Sequence, residues 1–443
     1  MKVKKILWAG LIFAAAAALS GCFKTSADEL YSLPRASEEY YKLQEQIDLV
    51  LNSGAEYAPP TGGANRQSVQ LKDLDGNGRN EVIAFFSIPG DKPLKIYIFR
   101  EEAGEYAVAD IIEGVGTAIE SIRYVDMDGD GATELAVGWQ MGTALRHMTL
   151  YAVRDLRHIK IADADYTGIA VCDVNGDGND DVVAVRLPTS ETPGEAELFS
   201  LMSDGEIVGG TARLSEGMES VSRILTGKLS DGTTAVFVDG KLGSDLVTDI
   251  FAYRDDALTN VSLNTSGGVS DATLRSLAST VYTVDINLDG IMEIPSPELL
   301  PTQSETNYYA INWNSFDRYG EGRLVMTTYH NYSDGWYLIL PEDWRGRIAV
   351  RREDTAPGER TLVFSYVRGA ERFDDFLRIY SLSGDNREDR ARLPGRFRLL
   401  EEGDTVYAAE LLPGWDGLPL TLSGELVAEN FKRNYSDWIT GAI

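Results

Sequence analysis

Four short segments gather oxygen-bearing side chains at a fixed spacing: Asp73, Asp75, Asn77 and Glu81; Asp126, Asp128, Asp130 and Glu134; Asp173, Asn175, Asp177 and Asp181; and Asp285, Asn287, Asp289 and Glu293. Each set fills positions 1, 3, 5 and 9 of a nine-residue loop with Gly at position 6. Donors of this kind suit a hard divalent cation such as Ca²⁺, which takes about 6–8 oxygen ligands. Mg²⁺ suits them less, because it keeps several waters in a tight octahedron. A metal-free turn could use the Gly-Asx-Gly run, but it has no need of several carboxylates that repel one another. In the fourth loop Leu288 replaces the Gly of position 4, and Asn287 brings no charge. The expectation is about four structural Ca²⁺ ions, each pinning one hairpin loop.

The elements that must hold these loops are strands. SVQLKD, SIRYVD, GIAVCD and VYTVD run into them, and VIAFF (82–86), LAVGW (135–139), VVAVR (182–186) and the weaker Ile294-Pro295 follow. β-branched and aromatic residues dominate these runs. The loops are therefore strand-to-strand connections and not the helix–loop–helix of an EF-hand. Position 12 agrees, holding Ala84, Val137, Ala184 and Ser296 and no bidentate Glu. About 24 to 26 residues after each loop start comes a second signal, an aromatic among apolar residues: Tyr97, Tyr151, Phe199, Phe251 and Tyr309. Phe251 lies downstream of GKLSDGTTA (227–235), which keeps Asp231 and Gly232 but has lost the other ligands, so no tight ion is expected there. Further units are readable at Glu353–Thr361 and near Arg398. Unit starts near 73, 126, 173, 227, 285, 353 and 398 imply about four strands per unit. That predicts an all-β fold, a β-propeller of seven blades with six to eight compatible.

The loops resemble those of FG-GAP and VCBS-type repeats, the family that includes the propeller of integrin α-subunits. Asp126-x-Asp128-x-Asp130-Gly131-x-x-Glu134 carries the family pattern, with Glu for Asp at position 9 in three of the loops. The resemblance covers about 65–300. It implies Ca²⁺ in the loop and adds the backbone carbonyl of position 7 as a ligand, here that of Arg79, Ala132, Asn179 and Ile291. The FG-GAP dipeptide pair itself is absent.

The N-terminus has a basic start, an apolar run from Ile6 to Leu19 and a small-residue end. That run is too short to span a bilayer and reads as a secretory signal, 1–21. Leu19-Ser20-Gly21-Cys22 resembles the lipobox of bacterial lipoproteins. It implies cleavage before Cys22 and lipidation of that thiol, with 22–64 a tether and helix and 65–443 the propeller. Once Cys22 is lipidated, Cys172, the one other cysteine, has no partner for a disulfide. The formal net charge of −28 repels nucleic acid and anionic lipid, which are excluded as partners.

Residues 35–53 carry helical spacing at Tyr40, Leu43, Ile47 and Leu51, and 423–433 read as a short C-terminal helix. Residues 313–352 interrupt the period and cluster Trp336, Tyr337 and Trp344, either as core or as a ring-stacking ligand surface. The stretch 313–443 is either degenerate blades or a small separate β domain. His147, His158 and His330 are too scattered for a metallohydrolase, and HExxH, GxSxG and P-loop motifs are absent. No catalytic residue is assigned, and the chain is not expected to be an enzyme. The reading is an extracytoplasmic, lipid-anchored, calcium-binding module that holds a protein or polysaccharide ligand. The alternative is an extracellular polysaccharide-processing enzyme on the same scaffold.

Overall fold

A computed structural model describes residues 38–434 other than 144, 265–267, 277–280, 303–304, 355 and 370–371. The signal segment, Cys22 and most of the tether lie outside the described residues.

The chain folds into six antiparallel sheets of four or five strands. Their strands lie within 56–114, 118–166, 168–213, 220–276, 293–340 and 348–411, and Phe431–Arg433 adds an edge to the fifth. Through the second, third and fourth sheets the strands follow chain order as a meander. The second to fifth sheets each bury one face on the sheet before and the other on the sheet after. Ile83 and Phe85 meet Leu135 and Val137. Ala136 meets Val182 and Ala184, and Val183 and Val185 meet Val236 and Val238. This explains why the strands Glu81–Ser87, Glu134–Gln140, Asp181–Arg186 and Thr234–Leu242 carry near-continuous apolar runs: successive side chains point to opposite faces, and here both faces are covered. The result is the expected all-β propeller.

The described residues form six sheets where seven units were expected. The hairpin of Arg396–Glu402 and Thr405–Leu411 starts no sheet of its own. It joins the sixth sheet through Thr405–Leu411, which pairs with Arg372–Ser383. A hairpin with alternating apolar residues looks the same whether it opens a blade or extends one.

The outer faces of the terminal sheets are covered by helices. Helix α1 (Glu38–Asn52) sets Leu43, Ile47 and Val50 against Val82, Ala84, Phe86 and Phe99 of the first sheet. Full burial of each such side chain contributes about 1.5–3 kcal/mol. Helix α2 (Arg387–Ala391) covers the sixth sheet, where Ala391 packs with Tyr380, Leu382, Val406 and Ala408. Helix α3 (Gly424–Asn430) is capped by Ser423, whose hydroxyl accepts the Leu426 amide, and its Val427 enters the core shared by the fifth and sixth sheets. No apolar cluster among the described residues joins the first sheet to the sixth.

The aromatic cluster is core and not a ligand surface. Trp336 and Trp344 are fully buried and Tyr337 nearly so. Trp344 sits edge-on to Phe376 at 4.9 Å and donates its indole N–H to the Thr421 carbonyl.

Candidate metal centres

All four acidic loops have one internal design. Position 2 (Leu74, Met127, Val174, Ile286) is buried and anchors the loop in the inter-sheet core. Position 9 (Glu81, Glu134, Asp181, Glu293) is also buried and opens the strand after the loop. Before the fourth loop VYTVD forms no strand, contrary to expectation, but only an isolated bridge from Val284 to Glu293, so Glu293 opens the first strand of its sheet. The position-9 carboxylate accepts the position-2 amide at 2.9, 3.0, 2.9 and 3.1 Å in the four loops. The position-1 carboxylate accepts the amide of Gly at position 6: Gly78, Gly131, Gly178 and Gly290. Position 3 accepts the amide of position 5 in every loop. The position-5 side chain accepts the amide of position 7, from Arg79, Ala132, Asn179 and Ile291, at 2.8 Å each time. These Asx-type turns use both oxygens of the position-1 carboxylate and one side-chain oxygen each at positions 3 and 5, leaving the second oxygen free of the turn only where positions 3 and 5 are Asp.

The oxygens converge as the spacing requires. Asp73, Asp75 and Glu81 each place a carboxylate oxygen within 4.8 Å of the other two, and so do Asp126, Asp128 and Asp130. At such a separation two carboxylates repel by about 3 kcal/mol at an effective dielectric near 20. The position-9 carboxyls show the strain. Burial, with the neighbouring acids adding to it, pushes Asp181 up to about 6 and Glu293 up to about 7. Burial raises Glu81 and Glu134 as well. The Oε1 of Glu293 is buried without a hydrogen-bond partner.

Neighbouring loops touch along one rim. The amide of Thr133, position 8 of the second loop, donates to the Leu74 carbonyl of the first at 2.9 Å. The amide of Asp180 donates likewise to the Asp126 carbonyl, and that of Met292 to the Lys228 carbonyl. This contact accounts for Gly at position 4 of the first two loops; in the third, Gly176 meets nothing within 4 Å and only its φ of +82° favours glycine. Gly76 has φ +71°, and a Cβ there would lie 2.7 Å from the Gly131 carbonyl oxygen. Gly129, also at φ +71°, faces the Asn179 side chain of the third loop. Leu288 holds the same left-handed backbone at φ +62° but points outward, 77% exposed.

Sequence reasoning missed the basic partners. Arg154, at the end of the strand Arg146–Arg154, reaches Asp128 at 2.8 Å and Glu134 at 3.0 Å. Arg79 pairs with Glu101. In the third loop Asn175 bonds Ser200 at 2.9 Å. In the degenerate loop 227–235, Arg318 of the next sheet donates to Asp231 at 2.6 Å. Arg79 is position 7 of the first loop, but Glu101, Arg154, Ser200 and Arg318 all lie outside the nine-residue pattern, so no motif could announce these pairings. Of the histidines, His147 pairs with Asp163 and Asp165, His158 ties the second sheet to Asp110 of the first, and His330 is buried.

The family model of the FG-GAP-like repeat matches residues 73–137, from the start of the first loop through the second. No curated protein sequence matches the chain. Among solved structures, the exotype rhamnogalacturonan lyase YesX is 13% identical over 69% of this chain, with a TM-score of 0.24. This chain spans 60% of that lyase. A protein from Lactobacillus plantarum is 10% identical, with 67% of this chain and 87% of its own covered and a TM-score of 0.26. The matched segment supplies the loop pattern, and its geometry recurs at the third and fourth loops: this β-propeller carries an FG-GAP-like repeat at residues 73–137.

Proposed function

We propose that the chain is an extracytoplasmic, lipid-anchored propeller that binds Ca²⁺ structurally and presents its rim to a protein or glycan ligand. The observation that carries the calcium reading is the fourfold repetition of one acidic loop in which a buried position-9 carboxyl is held by the position-2 amide. A carboxyl whose charged form is disfavoured by burial and by neighbouring acids, as at position 9 of these loops, is a natural partner for a divalent ion. The ions hold the loops, and the loops hold successive sheets through the position-8 amides. Linkage sets the size of the effect: a site filled at about 100 times its Kd stabilises the fold by roughly 2.7 kcal/mol.

The ligand-binding part of the reading is supported by a cavity of about 590 Å³ beside the third loop. Lys228, Arg254 and Arg318 line it together with Tyr253 and Tyr319, and Tyr319 is 65% exposed. Asp173, Asp255 and Asp256 line it as well, and cationic, carboxylate and aromatic groups side by side suit hydroxyl-rich ligands.

The calcium reading is tested by thermal melting of the chelator-treated protein while CaCl₂ is raised to millimolar levels. A rise of several degrees is expected, and a melting temperature indifferent to Ca²⁺ overturns the reading. The anchor is tested by fractionating cells that express Cys22→Ser. Loss from the membrane fraction is expected, and unchanged membrane retention rejects the lipid anchor.

A further inference from the structure

The second loop is the richest in acid, the one loop with carboxylates at positions 1, 3, 5 and 9. Among the four acidic loops it is also the one whose position-3 and position-9 carboxylates are bridged by an arginine from outside the loop. Arg154 sends one guanidinium nitrogen to Asp128 Oδ2 at 2.8 Å and the other to Glu134 Oε1 at 3.0 Å, and it lies 3.9 Å from Asp130. These are the oxygens that the loop's own turns leave over: Asp128 Oδ1 accepts the Asp130 amide, and Glu134 Oε2 accepts the Met127 amide. An ion at the loop centre would need those same oxygens. The first loop differs here. Its position-9 Glu81 stands in the convergent trio with Asp73 and Asp75, whereas the trio of the second loop is Asp126, Asp128 and Asp130, without Glu134. Glu134 is fully buried and turned toward Arg154. Arg154 cannot step aside by losing its proton, because a guanidinium stays charged at any physiological pH. The degenerate loop at 227–235 uses the same device, with Arg318 on Asp231.

We infer that Arg154 is the resident cation of the second loop, so that the loop whose sequence best fits Ca²⁺ takes none while Arg154 is in place. The inference builds on the calcium reading of the other loops. It gives the seam between the first and second sheets a permanent counter-charge that does not vary with Ca²⁺ supply.

The test is equilibrium dialysis of the full-length chain in detergent against CaCl₂, counting ions per chain in the unaltered protein and in Arg154→Gln, Arg154→Lys and Asp128→Asn. Arg154→Gln is expected to bind one ion more than the unaltered chain. Arg154→Lys and Asp128→Asn are expected to bind the same number as it does. Failure of Arg154→Gln to gain an ion, or loss of one in Asp128→Asn, overturns the inference. Four ions in the unaltered chain would overturn it while leaving the calcium reading intact. No ion in the unaltered chain but one in Arg154→Gln would reject the calcium reading and keep the inference. Should Arg154→Gln fail to fold, the unaltered chain and Asp128→Asn still decide.

Discussion

Gly76→Ala probes the packing of one loop on the next, and Gly78→Ala is its internal control. Both glycines lie in the first loop with positive φ, +71° and +83°. Either substitution puts an L side chain in the left-handed region, at a cost of about 1–2 kcal/mol. They differ in what the new methyl meets. At Gly78 nothing lies within 4 Å. At Gly76 the methyl would lie 2.7 Å from the Gly131 carbonyl oxygen, 2.8 Å from its carbon and 3.1 Å from the Ala132 amide. That is backbone of the second loop, fixed by the bond from the Thr133 amide to the Leu74 carbonyl, and it cannot rotate away. Crowding of this order typically adds about 1–3 kcal/mol. Gly76→Ala should therefore cost about 2–5 kcal/mol and Gly78→Ala about 1–2 kcal/mol. Urea unfolding of both variants in saturating CaCl₂ gives the difference directly. If the two variants unfold at the same midpoint, the loops are not the joints between the first two sheets, and the account of position 4 is wrong.

Two further effects follow from particular side chains. Leu288→Gly should stabilise the protein by about 0.5–1 kcal/mol in urea unfolding, because it removes a left-handed non-glycine residue whose side chain is exposed; a loss of stability would contradict this. His330 is buried between Tyr337 and Tyr332, accepts or donates at Thr328 and Asn434, and is pushed by burial from 6.5 down to about 4. The unfolded chain then takes up the proton first as the pH falls. Stability should be intact above about pH 6.5 and decline between 6.5 and 4 by up to about 3 kcal/mol from this residue; equal acid sensitivity in His330→Gln would refute it.

The geometry of the loops was legible because it is local. The oxygen spacing, the turn glycines and the flanking strands all fall within about a dozen residues, and only VYTVD, before the fourth loop, fails to form its strand, leaving a single bridge at Val284. The strand periodicity was legible for the same reason, and so was α1, although Val50 joins its buried face alongside the expected Leu43 and Ile47. What escaped was long-range. Arg154 lies 20 residues beyond Glu134, on a strand whose pattern shows nothing unusual, and Arg318 lies 87 residues from Asp231. The unit read near Arg398 starts no sheet of its own, because the turn at Gly403 belongs to a hairpin that extends an existing sheet; six sheets lie within the expected six to eight. Short α2 went unnoticed, since RED in a polar stretch gives no apolar stripe; its Ala391 covers Leu382 and Val406 of the last sheet.

The central claim is that carboxylates converge in these loops to hold a divalent ion. Its most direct test is anomalous diffraction from crystals soaked in a calcium-like lanthanide. The account predicts peaks at the centres of the loops at 73–81, 173–181 and 285–293 and none at 227–235. Data of sufficient resolution with no anomalous density in any acidic loop would contradict it.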